Sequence, residues 1–193
     1  MRLTNSKQAF GLMAVTLHWL IAVAVLGMIW LGNYMTDAED YTAYQLHKSA
    51  GITILALSLI RLLLRFLDPP PPLPSAMPRV ERFAAHLSHW AFYALMIGMP
   101  LSGWALISAA PSSDMIKTRI WGWFELPALP GLKTLADRDA AADAFEDAHE
   151  FLATALLVLL ALHVMAALKH HFWNRDTVLS RMVPFLAPPK DRR

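Results

Sequence analysis

The chain contains no cysteine. Disulfides, thiolate-bound metals and iron–sulfur clusters are therefore excluded, and any metal centre must draw on histidine, carboxylate or methionine. Charge is scarce as well: 17% of the residues are charged against 56% hydrophobic, where soluble domains carry roughly 25% charged residues. The net charge of +2 is too small for a nucleic-acid binder. No small-residue cleavage site follows the first apolar run, which reads as a retained span and not as a signal peptide. There is no internal repeat. What is present is a 193-residue chain of mean hydropathy +0.38, suited to lipid better than to water.

Gaps in the charge mark the spans. No charged residue occurs from Gln8 to Thr36, from Phe83 to Ser113, or from Phe151 to Leu168, and a bilayer crossing needs about 20 residues. A further span, "HKSAGITILALSLIRLLLRF", is interrupted by Arg61 and Arg65 near its end, where a guanidinium can snorkel to the interface. The expectation is an all-α, integral membrane four-helix bundle forming one domain over 1–193. Its spans fall at about 12–35, 44–66, 83–108 and 148–171, with an outer loop at about 110–147. Bases set the orientation: Arg2 and Lys7, then Arg79 and Arg82 after the proline run, then Lys169, Arg175, Arg181, Lys190, Arg192 and Arg193 in the tail. The first outer connection carries Asp37, Glu39 and Asp40 and no base before Lys48. The positive-inside rule then places both termini and the proline-rich loop in the cytoplasm. In the outer loop, "IWGWFELPALPG" reads as an interfacial element with Trp121 and Trp123 at headgroup depth.

All eight histidines lie within or at the ends of these spans. His18 and His163 fall towards the inner side, while His47 and His149 open their helices on the outer side. On the fourth helix the two are fourteen residues apart, which keeps them within about 40° of one face and about 21 Å apart in depth. Two bis-histidine sites stacked across a membrane suggest two b-type haems, since haem iron accepts two neutral imidazoles. Each of the four is followed four residues later by a small residue, Ala22, Gly51, Ala153 and Ala167, where a porphyrin plane must approach the backbone. A lone membrane histidine often hydrogen-bonds a neighbouring helix; depth-matched pairs argue for ligation. Lys48, beside His47, is the candidate partner of a haem propionate, and Arg61 and Arg65 read chiefly as topology anchors. His86, His89, His170 and His171 gather at the inner end, where a histidine can bind a quinone carbonyl and supply protons. His89 and His170 are the candidates for that role, and His86 and His171 read as headgroup-facing.

The motifs "LHWL", "LHKSAGI", "RLLLR", "AHLSHWAFY", "AHE" and "LHVMAALKHHFW", in that order, resemble the bacterial cytochrome b561 family over roughly residues 12–183. The resemblance implies a four-helix inner-membrane protein with two haem b groups. His18 and His163 would ligate the cytoplasmic-side haem iron, and His47 and His149 the periplasmic-side one. It implies electron transfer to ubiquinone near the cytoplasmic face, with His89 and His170 matching the quinone-contacting positions. Some members are superoxide oxidases, which take the electron from periplasmic superoxide.

The outer charges bear on that donor. The long outer segment holds seven acids (Asp114, Glu125, Asp137, Asp139, Asp143, Glu146, Asp147) against Lys117, Arg119, Lys133 and Arg138. A local basic patch of Lys48, Lys117 and Arg119 would steer an anion, whereas the acidic balance suits a basic periplasmic redox protein. Two other readings compete. One is the cytochrome b subunit of a multi-subunit dehydrogenase or hydrogenase. The other is a histidine-lined divalent-metal transporter, disfavoured because no acid lies at the centre of a span.

Overall fold

In hydrocarbon a backbone must satisfy its own hydrogen bonds, so a chain with long charge-free apolar runs has helices as its simplest solution. The computed structural model describes residues 2–183 and 185–186. Of the bases counted towards the positive end, Lys190, Arg192 and Arg193 lie outside these residues. Four long helices are present: α1 (Leu12–Ala38), α2 (Tyr41–Leu67), α3 (Arg79–Ala109) and α4 (Arg138–Lys169). All four are long and apolar enough to cross a membrane. Many of their large apolar side chains point outward, among them Val23 (65% exposed), Trp30 (68%) and Phe151 (71%). In water that surface would be a liability; against lipid it is the ordinary covering.

Local chemistry sets the helix ends. Only Glu39 and Asp40 separate α1 from α2. Glu39 takes the left-handed conformation (φ 49°) that closes the first helix, and the Asp40 carboxylate accepts from Thr42 N–H at 2.8 Å to cap the second. The run of prolines after Asp68 forbids continuation of α2. That exit is tied down by Asn5, whose backbone N–H donates to the Asp68 carboxylate and whose amide donates to the Asp68 carbonyl, both at 2.8 Å.

Helix α4 departs from the expected span. It begins at Arg138, ten residues before position 148, so His149 lies about three turns inside the helix instead of opening it. The hydropathy pattern finds only the lipid-crossing part. Asp137 supplies an N-cap, accepting from Ala140 N–H at 2.9 Å, and the alanine-rich run that follows favours helix although it is polar enough for water. Through the π-helical turn His170–Asn174, the helix runs 37 residues, Arg138–Asn174, or about 55 Å, well beyond the hydrocarbon thickness of about 30 Å.

The rest of the outer segment is folded onto the bundle. A short 3-10 helix (Pro111–Asp114) leads to a small antiparallel hairpin, β1 (Arg119–Ile120) and β2 (Phe124–Glu125). Its turn holds Trp121 and Gly122 at positive φ, 52° and 75°. Ser49 of α2 accepts from Trp121 N–H at 3.0 Å, and Thr53 accepts from the Trp121 indole at 3.0 Å. Trp104 of α3 donates its indole N–H to Pro127 O, and Ser108 accepts from Leu129 N–H. Trp121 therefore lies against α2, while Trp123 is 90% exposed.

The buried core is small: Ile21, Val25, Met28 and Leu31 of α1 with Ala43 and Ile54 of α2 and Leu156 of α4. Among the described residues, α1 packs on α2, α2 on α3 and α3 on α4, while α4 keeps its backbone farther from α1 and α2. That gap is where the histidine pairs meet.

Candidate cofactor site

Helix direction brings the histidines together. With α1 and α2 antiparallel, His18 reaches the end opposite His47, and α4 supplies a partner at each level. His18 faces His163 with ring centroids 6.3 Å apart; His47 faces His149 with centroids 6.2 Å apart. Neither pair is in direct hydrogen-bond contact. An imidazole nitrogen binds a first-row metal at about 2 Å, and the ring centroid lies about 1.1 Å further back, so two trans imidazoles on one ion stand about 6.2 Å apart. Both pairs therefore fit one metal ion held between them.

The donor set narrows what that ion is. Among the described residues no group of three or more histidines, aspartates or glutamates is gathered as a metal site. Each facing pair offers two nitrogens, so an ion held between them would take its remaining ligands from a cofactor. A porphyrin supplies four in a plane and leaves two axial positions for imidazole.

The surroundings of His149 fix its tautomer. Its Nδ1 lies 2.9 Å from the carbonyl oxygen of Met99. A carbonyl can only accept, so Nδ1 carries the proton and Nε2 keeps its lone pair free for a metal. Ser102 Oγ also donates to Met99 O at 2.7 Å and lies 3.1 Å from Nδ1. Gly103 makes room for the ring: a Cβ there would lie 3.0 Å from Cε1 and 3.2 Å from Nδ1 of His149. Gly32 of α1 backs His47 less tightly, with a would-be Cβ at 3.6 Å. The Nδ1 of His47 is buried without a hydrogen-bond partner among the described residues.

The other histidines separate. His89 joins the inner pair, its ring centroid 5.9 Å from that of His163, with Phe92 packed on the same ring at 5.2 Å. His170, 8% exposed in the π-helical turn, is held by carboxylates: Nδ1 lies 2.5 Å from Asp176 Oδ2, and Nε2 lies 3.6 Å from Glu81 Oε2. Glu81 in turn accepts from Lys169 at 2.7 Å. His86 is exposed, and His171 packs on Phe172. Arg65 does not simply snorkel; its guanidinium sits over the rings of Trp90 and Tyr93, at 5.4 and 5.8 Å.

Several of these partners escaped the sequence reading. Met99, Ser102 and Gly103 bracket Pro100, a visible irregularity in a membrane helix. Nothing in sequence, however, tells which face of α3 meets His149. The acidic clasp of His170 depends on Glu81 and Asp176 being brought to it from separate segments.

On the outer side, Lys48 lines a cavity of about 230 Å³ with Tyr41, Tyr44, Ser112, Ser113 and Thr118, and no acid borders it. Of the expected basic patch, Lys117 is engaged by Glu125 at 3.1 Å.

The sequence profile of the prokaryotic cytochrome b561 family matches residues 9–185. The chain is 39% identical to cytochrome b561 homolog 2 of Escherichia coli K12 over 189 residues, covering 95% of both chains. It is 29% identical to a probable superoxide oxidase CybB of Yersinia pestis over 179 residues, covering 91% of this chain and 96% of that one. It is 28% identical to cytochrome b561 homolog 1 of Escherichia coli K12, with 91% and 97% covered. With four helices able to span a membrane and histidines paired across them at two levels, the chain is a multi-pass membrane protein that belongs to the prokaryotic cytochrome b561 family, whose members are b-type electron-transfer cytochromes.

Proposed function

We propose that this chain is a di-haem b cytochrome of the bacterial inner membrane that carries electrons from a periplasmic donor to ubiquinone near the cytoplasmic face. The observation that carries this reading is the pair of near-equal ring separations, 6.3 and 6.2 Å, at two depths. His18 and His163 hold the inner haem iron and His47 and His149 the outer one. Bound haem supplies reversible one-electron storage at each level. The protein's part would be to orient the four imidazoles as two pairs about 21 Å apart in depth.

Superoxide is the donor that the outer cavity favours. Among the described residues Lys48 is the only charged one lining it, and the phenol and hydroxyl groups around Lys48 can donate hydrogen bonds to a small anion. Likeness to a probable superoxide oxidase supports the same choice. Two superoxide ions would give one electron each and leave as dioxygen; one ubiquinone would take both electrons and two protons. At the inner end, His89 lies beside the ligand pair and is the candidate contact for the quinone. His170, with Glu81 and Asp176 around it, is the candidate holder of the protons.

The test is superoxide generated outside proteoliposomes that hold the haem-loaded protein and ubiquinone. Ubiquinol should form with wild-type protein and not with His47→Ala. Wild-type protein that reduces ubiquinone only from another donor would remove superoxide from the account.

A further inference from the structure

Helix α2 carries Arg61, read from sequence chiefly as a topology anchor. Helices α2 and α4 run in the same direction, and His47 lies level with His149. Fourteen residues further along, about 21 Å deeper, stand Arg61 on α2 and His163 on α4. Fourteen residues fall about 40° short of four full turns, so Arg61 keeps close to the face that bears His47. Ser58, on the same face, is 0% exposed. Arg61, itself half-buried, thus keeps to the inward face of α2 at the level of the inner pair. Among the described residues it forms no ion pair.

The two levels differ in sign. No acid lies within six residues of His18 or of His163. His149, by contrast, is flanked by Glu146, Asp147 and Glu150, all exposed, against the single neighbouring base Lys48. Reduction adds a negative charge to a site. A cation held in a low dielectric favours it, and nearby carboxylates oppose it.

We propose that Arg61 makes the His18–His163 site the more oxidising of the two, so that an electron arriving at His47–His149 passes inward downhill. The inference rests on the reading that each pair holds one haem. The step moves one electron: the outer site is oxidised, the inner reduced, and no bond is made or broken. Arg61 acts through the field it sets at the inner site, not by touching a substrate.

Redox titration of the holoprotein in lipid nanodiscs tests this, with haem absorption as the readout. His47→Ala, which keeps the inner site, and His163→Ala, which keeps the outer one, assign the two potentials. The inner potential should be the higher. Arg61→Gln should lower it by about tenfold in the reduction equilibrium, ~59 mV for one electron, while the outer potential moves far less; Arg61→Lys should restore most of the loss. An inner potential at or below the outer one in the wild type overturns the proposal, even if Arg61→Gln does not load. So does an Arg61→Gln protein with both haems whose inner potential is unchanged, or whose two potentials fall together. A wild-type count below two haems per chain overturns the two-site reading and the proposal with it.

Discussion

His149 is held from three sides by α3, through the Met99 carbonyl, the Ser102 hydroxyl and the bare Cα of Gly103. The two glycines near the outer ligands therefore predict different outcomes. In Gly103→Ala the new methyl would press on the ring at 3.0 Å, so the haem content should fall from two towards one per chain as the outer site empties. In Gly32→Ala the contact to His47 is an ordinary 3.6 Å, and the haem content should hold at two. The haem-to-protein ratio of the two purified variants reads this directly. At this scale the pairing of His18 with His163 and of His47 with His149 was legible from sequence, because depth can be counted at ~1.5 Å per residue. The groups that support them were not, because a backbone carbonyl or the absence of a Cβ leaves no mark in a residue's type.

Helix α4 and the segment before it are joined by a cluster of charge. Arg138, at the start of α4, donates to Ala109 O at 2.9 Å and Ala110 O at 2.8 Å, closing the end of α3, and pairs with Asp114 at 2.6 Å. Lys133 reaches the other Asp114 oxygen at 3.0 Å. Hydrogen bonds from Arg138, and then from Lys133, hold the Asp114 carboxyl below the usual aspartate range. Because the folded value is depressed, this tie stabilises the outer segment at pH above the ordinary value of 3.8 and is lost as pH falls through the lower folded value. Hydrogen exchange over residues 111–137 should therefore quicken as the pH drops below 3.8, after correction for the intrinsic rate. Asp114→Asn should show the quickened exchange already at neutral pH, with no such acid step. Four helices were legible at the scale of elements because hydropathy runs are long. The start of α4 was not, since capping by Asp137 and alanine propensity extend a helix past the point where hydropathy stops.

Across the whole molecule, the bundle places both described chain ends and the proline-rich loop at one end and the hairpin segment at the other. Which end faces the cytoplasm rests on the distribution of bases. The absence of cysteine makes this easy to test. Ser75→Cys in the proline-rich loop and Ala136→Cys in the outer segment, both at exposed positions, each introduce a lone thiol. A membrane-impermeant maleimide added to intact spheroplasts should label Ala136→Cys and spare Ser75→Cys until the membrane is opened; the reverse pattern would invert the proposed flow.

The most direct measurement for the whole account is a pyridine haemochrome count, with reduced-minus-oxidised spectra, on wild-type protein and on His18→Ala, His47→Ala, His149→Ala and His163→Ala. The account predicts a b-type spectrum, two haems per chain in the wild type and about one in each folded variant. A colourless protein from haem-replete cells, or variants that keep both haems, would contradict it.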